Sequence, residues 1–418
     1  MRLTTLIALL AASTASAQWH GPAYDGVATD GTYPTQWSSD AGVAWSVPLS
    51  GRGASTPAVV GDRVFLTDNL DGRNGLLCLS LLDGSERWRK TVGELAPPKH
   101  RKASGANPSP ISDGQRVFAY FKSGDLAAFT LEGEPLWSTN IQDAYGENTL
   151  WWDLGTSPVL AGGHVVITVM QTGPSFLVAL DPATGEVAWK ADRELGAPEE
   201  AAQSYTTPAV MTHGGVEQLV TVGADHVTSH DAKTGEELWR VGGLNPTQDA
   251  YFRSIASPAA AGGLVIAPYA RGESVTAIRL GGRGDVTDSH VAWHREGVGS
   301  DVPTPVVSDG RVYVLGDKGR TGGTLWCLDV ESGEELWTAQ LPKSRDGYSS
   351  SPMLAGGHLY LTREDGTTFV VSPDDGSVVA TNTLGQPTYA TPAFADGRVL
   401  IRTAERLWCF ADGGRERE

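Results

Sequence analysis

Aromatic and arginine side chains recur just ahead of a repeated proline, and they are the residues best suited to binding chemistry. Tyr205 and Tyr389 stand three residues before such a proline, and Tyr348 stands four before one. A surface of this composition suits a sugar, a quinone-like planar group or an extended peptide. The alternative is that these side chains only pack one loop against another. The residues predicted to bind are Arg52, Trp151, Trp152, Tyr205, Tyr251, Arg253, Tyr348 and Tyr389.

Patterns that would indicate catalysis or a metal site are missing. His226 and His230, like His290 and His294, are four residues apart, a spacing that suits a metal ion on a helix. On a strand the same spacing separates the side chains by about 13 Å, at ~3.3 Å per residue, so one ion cannot join them. The sequence has no His-Glu-x-x-His, Gly-x-Ser-x-Gly or Asp-x-Asp-x-Asp-Gly pattern. We therefore predict no catalytic and no metal-binding residues.

The charge balance excludes one class of partner. The chain of 418 residues has a formal net charge of -17. Binding of nucleic acid needs a surface rich in lysine and arginine that neutralises phosphates. We therefore expect no nucleic-acid partner, and interpret the acidic excess as an aid to solubility.

The elements that must position the predicted site come from a repeat. A Ser/Thr-Pro pair, an apolar strand, a glycine turn and a second strand recur every 40 to 53 residues. A hairpin around a glycine turn follows each of the first seven copies, and all but the copy near Val378 end in tryptophan. Its clearest form is 177–189, with the turn Asp-x-x-Thr-Gly, and 327–337 matches it closely. Four strands per unit, repeated four to eight times, are typical of a β-propeller. The repeated prolines are Pro57, Pro110, Pro158, Pro208, Pro258, Pro305, Pro352 and Pro392.

The two ends of the repeat array predict an eight-bladed all-β propeller that is closed on itself. The last copy stops after its third strand, at 407–411, whereas an unpaired strand around Trp45 precedes the first copy. That strand is expected to supply the missing fourth strand of the last blade and to leave no open sheet edge. The predicted domain is 18–411, followed by a charged tail over 412–418.

Tryptophan and cysteine are assigned to packing. Seven tryptophans end the repeat strands, and one site cannot use seven symmetric copies, so each is expected between neighbouring blades: Trp45, Trp88, Trp137, Trp189, Trp239, Trp293 and Trp337. Cys78, Cys327 and Cys409 occupy the same apolar strand of different blades. We therefore predict three buried, unpaired thiols.

The N-terminus has the pattern of a secretory signal peptide over residues 1–17. Arg2 precedes an apolar run, and Ala15-Ser16-Ala17 is a small-residue cleavage site. No cysteine lies near that site and no later apolar run approaches the ~20 residues of a membrane helix. The expected protein is exported, periplasmic or secreted, without a lipid anchor or membrane insertion, and monomeric.

The repeat resembles the PQQ-like β-propeller family, whose unit has the form Ala-x-Asp-x-x-Thr-Gly-x-x-x-Trp. The segment 179–189 matches this form throughout. The opening Trp19-His20-Gly21-Pro22-Ala23-Tyr24-Asp25-Gly26 is also similar to exported propellers of that family. The family includes quinoprotein dehydrogenases and an assembly factor of the bacterial outer membrane, so the resemblance implies the fold and leaves the function open.

Two classes of function follow from the resemblance. The first is a binding scaffold that presents its loop-bearing face to a protein, peptide or glycan and needs no cofactor. The second is a dehydrogenase that holds PQQ and Ca²⁺ at the channel mouth, with Trp151 or Trp152 stacking, Arg253 near the quinone, and Glu147, Asp153 or Asp301 as metal ligand or base. The adjacent cysteine pair of many alcohol-oxidising relatives is missing. Binding is the favoured hypothesis, and an enzyme acting on polysaccharide is a third.

Overall fold

Eight antiparallel sheets form a ring around a central channel, so the eight-bladed propeller is confirmed. The structure is a computed structural model and describes residues 18–28 and 31–412. The predicted signal peptide and all but the first residue of the predicted tail lie outside the described residues. Among the residues described, no helix is long and apolar enough to cross a membrane.

Each blade has four strands, and the chain runs from the innermost strand outward. Blade 1 contains Ala58–Val60, Arg63–Leu70, Arg73–Ser80 and Glu86–Glu94, and blade 2 contains Ile111–Ser112, Arg116–Tyr120, Asp125–Thr130 and Pro135–Asn140. Blade 3 contains Val159–Ala161, His164–Val169, Phe176–Leu180 and Val187–Asp192, and blade 4 contains Ala209–His213, Val216–Gly223, His226–Asp231 and Glu237–Val241. Blade 5 contains Ala259–Ala261, Leu264–Tyr269, Ser274–Arg279 and Val291–Glu296, and blade 6 contains Val306–Ser308, Arg311–Leu315, Thr324–Asp329 and Glu335–Gln340. Blade 7 contains Met353–Ala355, His358–Thr362, Thr367–Val371 and Val378–Thr383.

Blade 8 joins the two ends of the chain. Its strands are Ala393–Ala395, Arg398–Arg402, Arg406–Ala411 and, from the N-terminal side, Val43–Pro48. The last pair is antiparallel, with Trp45 opposite Cys409. The predicted closure by the strand around Trp45 is therefore confirmed. The remaining short elements are the helices Ile141–Tyr145 and Thr287–His290 and the 3-10 turns Glu199–Ala202, Ala270–Gly272 and Gly319–Thr321.

The repeat tryptophans join each blade to the next. The indole of Trp189 lies against Gly235, in the Asp-x-x-Thr-Gly turn of the following blade, where an added Cβ would stand 2.5 Å from the ring. This glycine has φ +76°, so it supplies both the turn conformation and the space for the indole. The same arrangement pairs Trp45 with Gly84, Trp88 with Gly133, Trp137 with Gly185, Trp293 with Gly333 and Trp337 with Gly376.

Two seams of the ring depart from this pattern. Trp239 is fully buried beneath the insertion at 281–288, whose short strand Gly284–Asp285 pairs in parallel with the edge of blade 4. In blade 7, Ala380 stands at the tryptophan position, and blade 8 has no third hairpin to receive an indole. Trp37 fills that seam instead, with its ring 5.1 Å from the ring of Phe410 and its backbone N–H bonded to Asn382 Oδ1 at 2.7 Å.

The residues before the repeated prolines form a second ring, on the inside. The backbone N–H of Thr56 donates to the Ser109 hydroxyl at 2.9 Å, and each successive blade repeats this bond to the next. Thr56 closes the circle, since its hydroxyl donates to the carbonyl oxygen of Thr391 at 3.2 Å. We call the eight residues the hydroxyl ring: Thr56, Ser109, Ser157, Thr207, Ser257, Thr304, Ser351 and Thr391. Because the first strands would otherwise leave N–H groups unpaired at the channel, this ring explains the Ser/Thr-Pro signature.

The N-terminal segment 18–28 fills the channel beyond the hydroxyl ring. The carbonyl oxygens of Tyr24, Asp25 and Gly26 accept hydrogen bonds from the first strands of blades 5, 6 and 7 at 2.7 to 3.0 Å. Tyr24 is buried among residues of blades 3 to 5. Burial also lowers the pKa of His20 to about 4. The opening motif of the sequence is therefore a channel plug, with Gly21 and Gly26 at positive φ in its turns.

The three thiols are buried and unpaired, as predicted. Cys78, Cys327 and Cys409 stand opposite repeat tryptophans in their sheets. Burial raises the pKa of Cys327 to about 11, which keeps this thiol protonated at neutral pH.

We predict that Gly235→Ala destabilises the ring more than Gly310→Ala does. Both glycines have φ near +75°, but an added Cβ meets only open space at Gly310 and the Trp189 indole at Gly235. The positive φ costs each variant about 1 to 2 kcal/mol, so any excess for Gly235→Ala measures the clash between blades. Urea unfolding gives both free energies. Equal losses would show that the indole contact does not join the blades.

Stability is expected to fall as the pH drops from 6.5 towards 4, because folding holds His20 neutral. Its pKa is about 4 in the folded chain against 6.5 for an exposed histidine, so the unfolded chain gains a proton first. The loss attributable to His20 is about 3 kcal/mol. His20→Gln should flatten the fall in unfolding free energy, whereas the control His213→Gln, at an exposed position, should leave it unchanged. Parallel pH profiles for His20→Gln and the wild type would contradict the assignment.

Candidate functional site

A cavity of about 610 Å³ opens where the connecting segments enter the first strands. We call it the mouth cavity. Trp19 of the channel plug and seven members of the hydroxyl ring line it. These seven hydroxyls each accept a backbone N–H, so each still has its own hydrogen to donate into the cavity. The base of the cavity is thus polar and donor-rich, with one indole. The seven are Ser109, Ser157, Thr207, Ser257, Thr304, Ser351 and Thr391.

Five of the eight predicted binding residues meet in the walls of this cavity: Trp152, Tyr205, Arg253, Tyr348 and Tyr389. Two of them contribute little surface, since only 6% of Tyr205 and 3% of Tyr348 is exposed. Both rings pack into apolar clusters beneath the loops. Burial raises the pKa of Tyr348 to about 12 and raises that of Tyr205 as well, so both phenols stay protonated.

The other three predicted residues lie outside this cavity. Trp151 and Tyr251 are 45% and 53% exposed, and their ring centroids are 6.5 Å apart. Trp152, at the cavity wall, is 42% exposed. We call Trp151, Trp152 and Tyr251 the aromatic rim. Arg52 is exposed beside Tyr389, where both line a side recess of about 570 Å³.

The two tryptophans of the aromatic rim are held in place by the loop that enters blade 4. The backbone N–H of Trp151 donates to Gln203 Oε1 at 2.8 Å, and that of Trp152 donates to the Tyr205 hydroxyl at 3.2 Å. The indole N–H of Trp152 donates to Glu200 Oε1 at 2.8 Å. Because these bonds come from a neighbouring blade, the two tryptophans are ordered before any ligand arrives.

A buried carboxylate fixes the loop that enters blade 2. Asp153 accepts hydrogen bonds from the backbone N–H groups of Lys99 and His100 at 2.8 to 3.0 Å. It also forms an ion pair with Lys122 at 2.5 Å. The ring of His100 then meets the Trp152 indole edge-on, with centroids 5.8 Å apart. The role of Asp153 is therefore to position the cavity wall.

A second charged cluster lies across the cavity. Arg253 donates from Nη2 to Asp301 Oδ2 at 3.2 Å, and its Nε is 3.5 Å from Glu200 Oε1. Lys318 forms a further ion pair with the same oxygen of Asp301. Asp301 lines the cavity but is only 2% exposed, and its two ion pairs neutralise its charge within the wall.

Sequence reasoning missed Lys122, Glu200, Lys318 and Trp19. Lys122 and Glu200 act through ion pairs between segments more than thirty residues apart, which no local spacing reveals. Trp19 belongs to the opening motif 19–26, which is visible in the sequence. That this motif lies in the channel and places Trp19 at the cavity is known only from the structure.

The residues proposed for calcium do not meet in one site. Asp153 is paired with Lys122, and Asp301 with Arg253 and Lys318. Glu147 is exposed and does not line the mouth cavity. In the described ranges, no group of three or more His, Cys, Asp or Glu side chains is placed to hold a metal ion. The donor set of the quinone–calcium hypothesis therefore does not fit this cavity.

Comparison with known sequences places these features in a family of bacterial proteins. Outer membrane protein assembly factor BamB of Salmonella typhimurium is 25% identical over 346 residues, covering 72% of this chain and 83% of that protein. The BamB of Alkalilimnicola ehrlichii is 27% identical over 190 residues, which is 43% of this chain and 45% of that protein.

Solved structures share the fold at lower identity. BamB from Moraxella catarrhalis superposes with a TM-score of 0.61 at 15% identity, covering 87% of this chain and 98% of that one. A europium-containing methanol dehydrogenase superposes with a TM-score of 0.71 at 11% identity, covering 95% and 98%. An assembly factor and a dehydrogenase thus share this architecture, so the fold alone does not decide the function.

The sequence profile described as outer membrane protein assembly factor BamB matches residues 26–174, 150–382 and 321–415. Together these matches span all eight blades. The chain therefore belongs to the BamB family of β-propellers.

Proposed function

We propose that this chain is a protein-binding scaffold of outer membrane protein assembly, which holds a segment of a partner protein across its mouth cavity. The aromatic rim is the observation that carries the proposal. Three large aromatic side chains, each more than 40% exposed, are grouped beside a cavity. Exposed aromatic groups of this kind mark binding surfaces, and they dominate the energetics of protein interfaces.

The preorganised loops also support binding over catalysis. Carboxylates in the wall are engaged in ion pairs with lysine and arginine, and these pairs stiffen the loops. A stiff aromatic surface loses little conformational freedom when a partner binds. This role places the protein outside the cytoplasm, in agreement with the signal peptide predicted over residues 1–17.

The double variant Trp151→Ala/Trp152→Ala should weaken partner binding about tenfold or more while the ring stays folded. Neither indole lies between blades, so the thermal midpoint should change little. The matched control is Leu82→Ala/Leu336→Ala, which removes two exposed apolar side chains from the hairpins and outer strands.

The partner for this measurement comes from photo-crosslinking in cells that carry the full chain. A benzophenone amino acid in place of Trp151 should yield adducts with outer membrane proteins or with proteins that assemble them. The same group at exposed Val187, on an outer strand, should not. Identical adducts at both positions, or unchanged affinity in the double tryptophan variant, would refute the proposal.

A further inference from the structure

Three exposed arginines lie around the mouth beyond the aromatic rim. Arg345, Arg52 and Arg101 precede blades 7, 1 and 2, whereas the aromatic rim precedes blades 3 and 5. Because eight blades follow each other around a circle, Arg345 lies across the channel from Trp151 and Trp152, and Arg52 lies across from Tyr251. Arg101 lies on the near side, in the segment next to Trp152. Arg101 and Arg345 line the mouth cavity, and Arg52 and Arg101 line the side recess. We call the three residues the arginine arc.

The arginine arc is free to bind an anion. Within the described ranges, the guanidinium groups of Arg101 and Arg345 form no ion pair or hydrogen bond with another side chain. Arg52 donates only to the backbone oxygen of Arg101, at 3.1 Å. The loop that carries Arg101 is fixed at Lys99 and His100 by Asp153, so its position does not depend on a ligand.

The carboxylates around the arc are mostly neutralised. Glu364 pairs with Lys102 at 2.6 Å and also accepts a hydrogen bond from Ser349. Asp365 pairs with Arg363 at 2.8 Å. Asp346 is exposed and keeps its charge, but it offsets only one of the three arginines. The surface offered to a ligand here is positive, in a chain whose net charge is -17.

We propose that the partner segment is an extended peptide with two unlike ends. One end carries aromatic or apolar residues that contact the aromatic rim, and the other carries acidic residues that contact the arginine arc. This inference rests on the proposed protein-binding function and adds the chemistry of the bound segment. The planar guanidinium binds a carboxylate through two parallel hydrogen bonds, which favours Glu or Asp side chains at the arc.

The probes are three fluorescein-labelled synthetic peptides of about eight residues. The first joins two phenylalanines and a leucine to four glutamates, the second replaces the glutamates with lysines, and the third replaces the apolar residues with serines. Fluorescence anisotropy with the full mature chain should show the first peptide binding about tenfold more tightly than either of the others. Its affinity should fall as salt is added, because the arc is exposed.

Charge reversal in the arc tests the assignment directly. Arg101→Glu and Arg345→Glu should each weaken the glutamate peptide about fivefold or more and strengthen the lysine peptide. The control Arg279→Glu changes an exposed arginine on blade 5 that lines neither the mouth cavity nor the side recess, and it should alter neither affinity. An equal effect of Arg279→Glu would show that the preference for the glutamate peptide reflects only the net charge of the protein, and would overturn the proposal.

The remaining outcomes separate this inference from the proposed function. Equal binding of the glutamate and lysine peptides, with both weakened by Trp151→Ala/Trp152→Ala, would refute the acidic segment and leave the protein-binding function in place. No binding of any peptide would count against both. The protein is also tested for binding to phosphatidylglycerol vesicles. If the wild type binds the vesicles, Arg345→Glu does not, and the wild type does not discriminate between the peptides, the arc binds a lipid headgroup and the proposal is overturned.

Discussion

The contact between a tryptophan and the turn glycine of the next blade is the interaction on which the rest of this structure depends. At Trp189 and Gly235, as at five other seams, the indole occupies the volume that any larger turn residue would need. Each blade therefore fixes the position and angle of its neighbour. The hydroxyl ring repeats this coupling on the inside, with N–H to hydroxyl distances of 2.9 to 3.1 Å. Because the ring closes, all eight connecting segments are set relative to each other.

This rigid ring explains how a binding surface is assembled from segments far apart in sequence. Asp153 lies more than fifty residues from Lys99 along the chain, yet it caps the Lys99 backbone in the cavity wall. Arg253 likewise joins Glu200 and Asp301. Charges that neutralise each other inside the wall leave the exposed aromatic groups and arginines as the groups that face a partner. Buried ion pairs of this kind add little net stability, and here they specify loop geometry.

The sequence was sufficient to predict the fold because the fold is local repetition. The Asp-x-x-Thr-Gly turn, the tryptophan that follows it and the Ser/Thr-Pro pair each correspond to a contact that recurs around the ring. It also predicted closure through Trp45 and the free thiol of Cys78, which follow from repeat register. The absent tryptophan of blade 7 was visible in the sequence, but its replacement by Trp37 was not, because Trp37 lies outside the repeat.

The site was less predictable, since its contacts run between loops and not within a repeat. Tyr205 has the same spacing to its proline as Tyr389, yet Tyr205 is buried under the loops while Tyr389 is half-buried at the cavity wall. Asp153 and Asp301, both proposed as calcium ligands, instead form ion pairs with Lys122 and Arg253. These pairs depend on loop geometry, which composition does not encode.

The central claim is that the loop face around the mouth cavity binds a protein segment. Hydrogen–deuterium exchange tests it most directly. Exchange is measured on the full chain with and without the peptide of phenylalanine, leucine and glutamate. The account predicts slower exchange in the connecting segments 99–107, 148–157 and 345–349, which carry or adjoin the arginine arc and the aromatic rim. The outer strands Glu86–Glu94 and Val187–Asp192 should exchange at unchanged rates. Protection along those outer strands, with unchanged exchange in the connecting segments, would place binding on the blade edges and contradict the account.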